Sequence, residues 1–151
     1  MPLATSLQIS ASGLTAQRLN LDVISNNIAN ASTTRTPTGQ PYRRQQVIFA
    51  AREARGGFAA ALAAARGARG AQVAGAGVQV AAIQPDTRRD FKVVYDPGHP
   101  DADARGYVRL PNVEPIIEMV DLIAAARAYE AGVTAINTAK QMQQRALEIG
   151  Q

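Results

Sequence analysis

The sequence predicts a mainly α protein: long N- and C-terminal helices packed lengthwise as a coiled coil, with a small β-rich insert between them. Three observations lead there. Both ends carry aliphatic residues at heptad spacing, the middle alternates apolar and polar residues, and proline and glycine punctuate the joins.

At the N-terminal end Leu7, Leu14, Leu21 and Ile28 form one column at a seven-residue spacing, and Leu3, Ile24 and Ala31 fall on the adjoining position. A helix over 3–30 would be about 40 Å long. "STTRTPTGQPYRR" (32–44) ends it, because Pro37 and Pro41 remove donors and bias their predecessors away from the α region. "QQVIFAA" (45–51), "GVQVAAIQ" (77–84), "FKVVYD" (91–96) and "GYVRL" (106–110) read as strands. Residues 50–77 are a low-complexity Ala/Gly/Arg stretch, expected as a flexible linker with a short helix near Phe58–Arg66.

The longest helical pattern covers 113–149. Met119, Leu122, Ala126, Tyr129, Val133 and Ile136 are alternately three and four apart, a second heptad seam. Ile116, Val120 and Ile123 widen the apolar arc beyond what one partner helix can cover, so a further surface must pack there. The expected organisation is a discontinuous helical core, 1–34 with 111–151, around a β-rich insert at 35–110. Paired helices alone leave aliphatic flanks exposed, which points to a polymer or obligate complex.

Composition excludes several classes. The 151 residues contain no cysteine and no tryptophan, and only 5% are aromatic. Disulfides, thiolate catalysis and zinc–thiolate sites are therefore out. No run of 18 apolar residues exists to span a membrane. The first ten residues, "MPLATSLQIS", lack the charged and apolar blocks of a cleaved signal peptide, so the protein is expected to be either cytoplasmic or exported by a route that cleaves nothing. The net charge of +4 permits an anionic partner. Yet Arg52, Arg55, Arg66 and Arg69 lack interleaved aromatics other than Phe58, and they read as a solvated linker, with no nucleic acid expected.

Asp96, His99, Asp101 and Asp103 fall within eight residues. That density of carboxylate and imidazole could ligate a divalent cation. Pro97 and Pro100 favour a pinned turn in which the aspartates bond their own backbone, so no metal is expected. Glu118, Asp121, Arg127 and Glu130 form a charged flank suited to intersubunit ion pairs. No phosphate-cradling loop, nucleophile elbow or paired-carboxylate motif is present. No catalytic residue and no cofactor are expected.

"SNNIANAS" (25–32) closes the first helix with three asparagines, Asn26, Asn27 and Asn30, although asparagine is a poor helix former. They either end the helix, with an asparagine in the left-handed conformation, or cap it and bond backbone in the same or an adjacent subunit. A polar residue in an apolar seam fixes register at some cost in stability.

These residues carry a resemblance. "LQISASGLTAQRLNLDVISNNIANASTTRT", with a Ser-x-x-Gly-Leu-x-Ala element from Ser10 and "NNIAN" at Asn26–Asn30, resembles the N-terminal motif of bacterial flagellar rod and hook proteins. "DPGHPDADARGYVRLPN" and "EMVDLI…RAYEA…NTAK" narrow the likeness to the proximal rod. It covers roughly 3–49 and 77–151; residues 50–77 match nothing, and "TRRDF" (87–91) departs from the usual apolar or proline-containing pattern.

The resemblance implies a structural subunit handled by the flagellar export apparatus. It would polymerise with copies of itself and neighbouring rod proteins in the basal body, as part of the shaft crossing the periplasm. The interface residues expected are Leu7, Leu14, Leu21, Ile28, Asn26, Asn27 and Asn30 on the first helix. On the second they are Met119, Leu122, Tyr129, Val133 and Ile136. The alternatives are another rod or hook subunit, or a generic coiled-coil or nucleic-acid-associated adaptor.

Overall fold

A computed structural model of the chain describes residues 2–52 and 76–149, with side chains from Thr5 to Glu148. The element order is α1 (Pro2–Ala29), β1 (Gln45–Ala51), β2 (Val78–Pro85), β3 (Lys92–Tyr95), β4 (Tyr107–Leu110) and α2 (Pro115–Ile149). The helices and four strands lie where periodicity places them, within two residues at each end. The expectation for 50–77 falls mainly on 53–75, outside the described residues. The Leu3 side chain is outside them too.

Proline opens both helices, a position where its missing N–H is no loss. Asn30 closes α1. Its N–H donates to Asn26 O at 3.1 Å, and its side-chain Nδ2 donates to Asn26 O and Asn26 Oδ1, each at 2.9 Å. The Asn26 carbonyl in the last turn thus gains a second donor. No described residue other than glycine has positive φ, so the cap works through the side chain and not through a left-handed asparagine.

The strands form two ribbons, β1 with β2 and β3 with β4. In the second, antiparallel pairing sets Lys92 opposite Leu110, Val94 opposite Val108 and Tyr95 opposite Tyr107. The two tyrosine rings meet edge to face, 5.3 Å between centroids.

By packing, the described residues fall into two compact units: one within 1–17, 49–81 and 128–151, the other 18–48 with 82–127. Each unit takes a piece of both helices and of the strands.

In the first unit, β2 is fastened to α1 by Ser12. Its Oγ donates to Ile9 O at 2.6 Å and accepts from Val78 N–H at 3.1 Å. Gly77 makes this possible: its φ is +109°, and a Cβ there would fall 2.2 Å from Ser12 Oγ. The two helices also touch in this unit, where a Cβ on Gly132 would sit 2.8 Å from Leu14 Cδ2.

Burial phases both helices differently from the heptad reading. On α1 the most buried residues are Ala16, Val23, Ile24 and Asn27, while Leu7, Leu14, Leu21 and Ile28 are half-buried along one flank. On α2 the inward row begins Glu118, Leu122, Ala125. Leu122, Tyr129, Val133 and Ile136 are half-buried, but Met119, expected in the seam, is 54% exposed. The apolar arc at 116–123 is wide enough for two phases, and bonding to Glu118 selects the one that turns Met119 outward.

The close approach at Gly132 gives a direct test. Gly132→Val should destabilise the purified subunit by about 1–3 kcal/mol through overpacking. Leu14→Ala should be less costly in that background than alone, as read by urea denaturation.

Candidate functional site

The second unit is organised around a buried polar cluster that joins the end of α1, the entry to β1 and the start of α2. Asn27 and Glu118 are 1% and 0% exposed. Every hydrogen-bonding position of the Asn27 amide is filled. Nδ2 donates to Gln45 O and to Glu118 Oε2, each at 2.9 Å. Oδ1 accepts from Gln45 N–H and from the Tyr42 hydroxyl, also at 2.9 Å each. A buried asparagine can do no more than this.

Glu118 Oε1 accepts from Arg44 Nε, and Arg44 Nη2 reaches Asp121 Oδ2 at 3.1 Å. Glu118 also lies in the first turn of α2, where the helix dipole favours negative charge. Burying a carboxylate is costly unless it is paired and hydrogen-bonded, and both conditions hold here.

The loop between α1 and β1 brings Tyr42 and Arg44 into place. Thr36 Oγ1 and N–H both donate to Gln40 O, at 2.7 and 2.9 Å, and Tyr42 N–H donates to Thr33 O at 3.0 Å. Behind Arg44 stands Asn112, 6% exposed. Asn112 Oδ1 accepts from Arg44 N–H at 2.8 Å, and its Nδ2 donates to Asp86 O and Arg89 O at 3.0 and 3.1 Å. Arg43 donates to the same Asp86 carbonyl at 3.0 Å and lays its guanidinium over Phe91, 4.5 Å from the ring centroid.

Three sequence readings change on this geometry. Glu118 is no part of a solvated flank for intersubunit ion pairs; it is an internal partner of Asn27 and Arg44. Asn27 has its whole hydrogen-bonding capacity engaged inside its own chain. Asn26 stays exposed; its Oδ1 accepts from Asn30 Nδ2 at 2.9 Å, and its Nδ2 makes a long 3.4 Å contact with the Tyr42 oxygen. Arg44, Tyr42 and Asn112 were not anticipated. The available signal was one carboxylate inside the apolar run "PIIEMV", which needs a buried cation and a donor from elsewhere.

The "YDPGHPDADARG" loop joins β3 to β4. Asp96 Oδ1 accepts from Gly98 N–H at 3.2 Å. Asp103 Oδ1 accepts from Arg105 and Tyr107 N–H at 2.8 and 2.9 Å, and His99 Nδ1 accepts from Asp101 N–H at 3.0 Å. These are self-bonded turns. Asp101 fastens the loop to the chain after α1, accepting from Thr34 Oγ1 at 2.7 Å and facing Arg35 at 3.6 Å. Thus the lone imidazole and its neighbouring carboxylates already act as a clasp.

Outward from the cluster, α2 exposes a stripe of large aliphatic residues at helical spacing. Ile116, Met119, Val120 and Ile123 are 79, 54, 61 and 53% exposed. One helix therefore presents a charged residue inward and an oily ridge outward, the reverse of an ordinary surface helix.

Two expected outcomes follow. Asn27→Ala should cost on the order of 3 kcal/mol, because it strands buried groups of Gln45, Tyr42 and Glu118. Asn27→Asp should be worse, since it sets a second carboxylate against Glu118; thermal unfolding ranks them. Burial, and then the nearby Glu118 carboxylate, raise the Tyr42 hydroxyl above its ordinary pKa of 10.0. A raised folded-state value means the native chain holds that proton more tightly. Stability is then intact below pH 10.0 and falls as pH rises through the folded value. Tyr42→Phe should flatten that decline in unfolding measured against pH.

Comparison with known proteins places the chain. Residues 7–35 match the family described as flagella basal body rod protein, and residues 104–149 match the flagellar basal body rod FlgEFG protein C-terminal family. The flagellar basal-body rod protein FlgC of Borreliella burgdorferi is 50% identical over 153 residues, covering 99% of this chain and 98% of that protein. The FlgC protein of Bacillus subtilis is 48% identical over 149 residues, 96% of each chain. That of Escherichia coli O6:H1 is 42% identical over 151 residues, the full length of both. The chain belongs to the FlgC family of flagellar basal-body rod proteins and is a structural subunit of the rod.

Proposed function

We propose that this rod subunit polymerises through the apolar flanks of its two terminal helices into a drive shaft that transmits torque. It would meet copies of itself and neighbouring rod proteins there, after passage through the flagellar export apparatus. The observation that carries the reading is the stripe Ile116, Met119, Val120 and Ile123, each more than half exposed. Covering four such side chains is worth about 5 kcal/mol before ordering costs, too much apolar surface to leave wet on a free monomer.

The half-buried ridge of Leu7, Leu14, Leu21 and Ile28 supplies a second surface of the same character. The remaining proposed interface positions are Asn26 and Asn30, with Leu122, Tyr129, Val133 and Ile136 on α2. Asn27 contributes indirectly, by holding α1 against α2 within the subunit. The role is mechanical, and no reaction is ascribed to the clustered carboxylates.

Exposed positions allow assembly to be separated from folding. Val120→Asp and Ile123→Asp should leave the circular dichroism of the purified subunit unchanged, yet abolish its recovery in isolated basal bodies and block swarming. Leu21→Asp should also prevent incorporation, since a charge on a covered ridge must be compensated or expelled. Deleting the gene should remove flagella while growth stays normal. Recovery of the two stripe variants in intact rods at wild-type levels would refute the helix-flank interface.

A further inference from the structure

In the second unit β3 carries an open sheet edge. It pairs with β4 alone. Asp96 N–H donates to Gly106 O at 2.9 Å in the register that continues this ladder, so Lys92, Val94 and Asp96 turn their backbone groups toward β4. Antiparallel alternation then aims the N–H and C=O of Val93 and Tyr95 the other way. Among the described residues no group bonds to them there. The far edge of the ribbon differs. On β4 Tyr107 turns outward too, but Asp103 closes it: Asp103 Oδ1 accepts from Tyr107 N–H and Asp103 N–H donates to Tyr107 O, each at 2.9 Å.

An open edge is a template for another strand, and natural chains blunt such edges with charge. The charge on β3 is Lys92. Beside it Val93 and Tyr95, 58 and 64% exposed, share one face of the strand.

We propose that β3 pairs antiparallel with β3 of a second copy, about a two-fold axis through Val94, and joins the two ribbons into one sheet. The register follows from the groups on offer. It sets Val93 opposite Tyr95 of the second copy, and Tyr95 opposite Val93, so every outward N–H and C=O within β3 finds its complement. Each such pair also places a β-branched side chain against an aromatic ring, a favourable cross-strand combination. An axis through Val93 would set Tyr95 against Phe91, outside the strand. One through Tyr95 would set Val93 against Pro97, which has no N–H to give.

The same register brings Lys92 opposite Asp96 of the second copy, and Asp96 opposite Lys92. Both residues are exposed, and neither has an ion pair among the described residues of its own chain. Asp96 Oδ1 already accepts from Gly98 N–H, which leaves Oδ2 for the lysine. These are non-hydrogen-bonded positions, where facing side chains come closest. A lysine that would keep a like edge away thus becomes an attraction, made twice by symmetry. A two-fold contact closes after two copies and cannot propagate. It is therefore a contact of the free subunit, separate from the helix flanks and independent of the rod reading. With so short a strand it forms reversibly, at high concentration.

A chain without cysteine makes disulfide mapping clean. Facing residues of a non-hydrogen-bonded pair have Cα atoms about 4.5 Å apart, within disulfide reach. On mild oxidation, purified Val94→Cys should form a linked dimer, because position 94 faces itself across the axis. Lys92→Cys should link at least about tenfold more slowly, since two copies of position 92 lie more than about 12 Å apart. A smaller ratio, or no dimer from Val94→Cys, would overturn the register.

Sedimentation in the Val120→Asp background, where the helix stripe is interrupted, measures the pairing itself. A concentration-dependent dimer is expected. Adding Lys92→Glu should raise its dissociation constant about tenfold or more, with circular dichroism unchanged, because two attractive pairs become repulsive. Adding Val93→Pro removes an outward N–H but no bond to β4, and should leave monomer at every concentration. A parent that stays monomeric throughout, or variants that dimerise as it does, would overturn the proposal and leave rod membership intact.

Discussion

The second unit depends on keeping one carboxylate dry. Glu118 is fully buried in the first turn of α2, where an unpartnered anion would expel itself or the helix. Its partners, Asn27 and Arg44, come from the last turn of α1 and the residue before β1. Much else in the unit serves to deliver them: the turn at Thr36–Gln40 that brings the chain back, the Thr33–Tyr42 bond that closes the loop, and Asn112 behind Arg44. Removing any one leaves a buried group stranded, which is why the cluster behaves as a unit and not as a set of additive contacts.

A polar clamp also solves a problem that aliphatic packing leaves open. Leucine columns repeated every seven residues can slide by a heptad at little cost, because each register buries similar surface. Four hydrogen bonds on one asparagine amide cannot slide at all. With register set inside the subunit by polar contacts, the aliphatic ridges on the outside are free to adhere to other molecules. Ile116, Met119, Val120 and Ile123 stay outside because Glu118 is held inside; on a helix, fixing one face fixes the opposite one.

The same economy governs the β3–β4 connection. Asp96, His99 and Asp103 spend their acceptors on backbone N–H groups within the loop, and Asp101 spends its own on Thr34 and Arg35. A stretch with the composition of a cation site thereby becomes a stiff clasp. Composition alone could not distinguish these outcomes, because the residue types that hold metals are also those that make side-chain turns.

What the sequence determined by itself was local. Helix limits, strand limits and the capping role open to Asn30 follow from periodicity, proline placement and short-range hydrogen bonding, all of which act within a few residues. The motifs in "SGLTA", "NNIAN" and the Asp-rich loop were enough to recognise the family. Tertiary structure decided which way each helix faces. An apolar arc wider than half a turn admits two phases, and the choice between 118/122/125 and 119/122/126 came from Asn27 and Arg44, 91 and 74 positions away in the chain. No window of local sequence contains that information, because the energy that settles it is the pairing of one buried charge with groups that only the folded chain brings within reach.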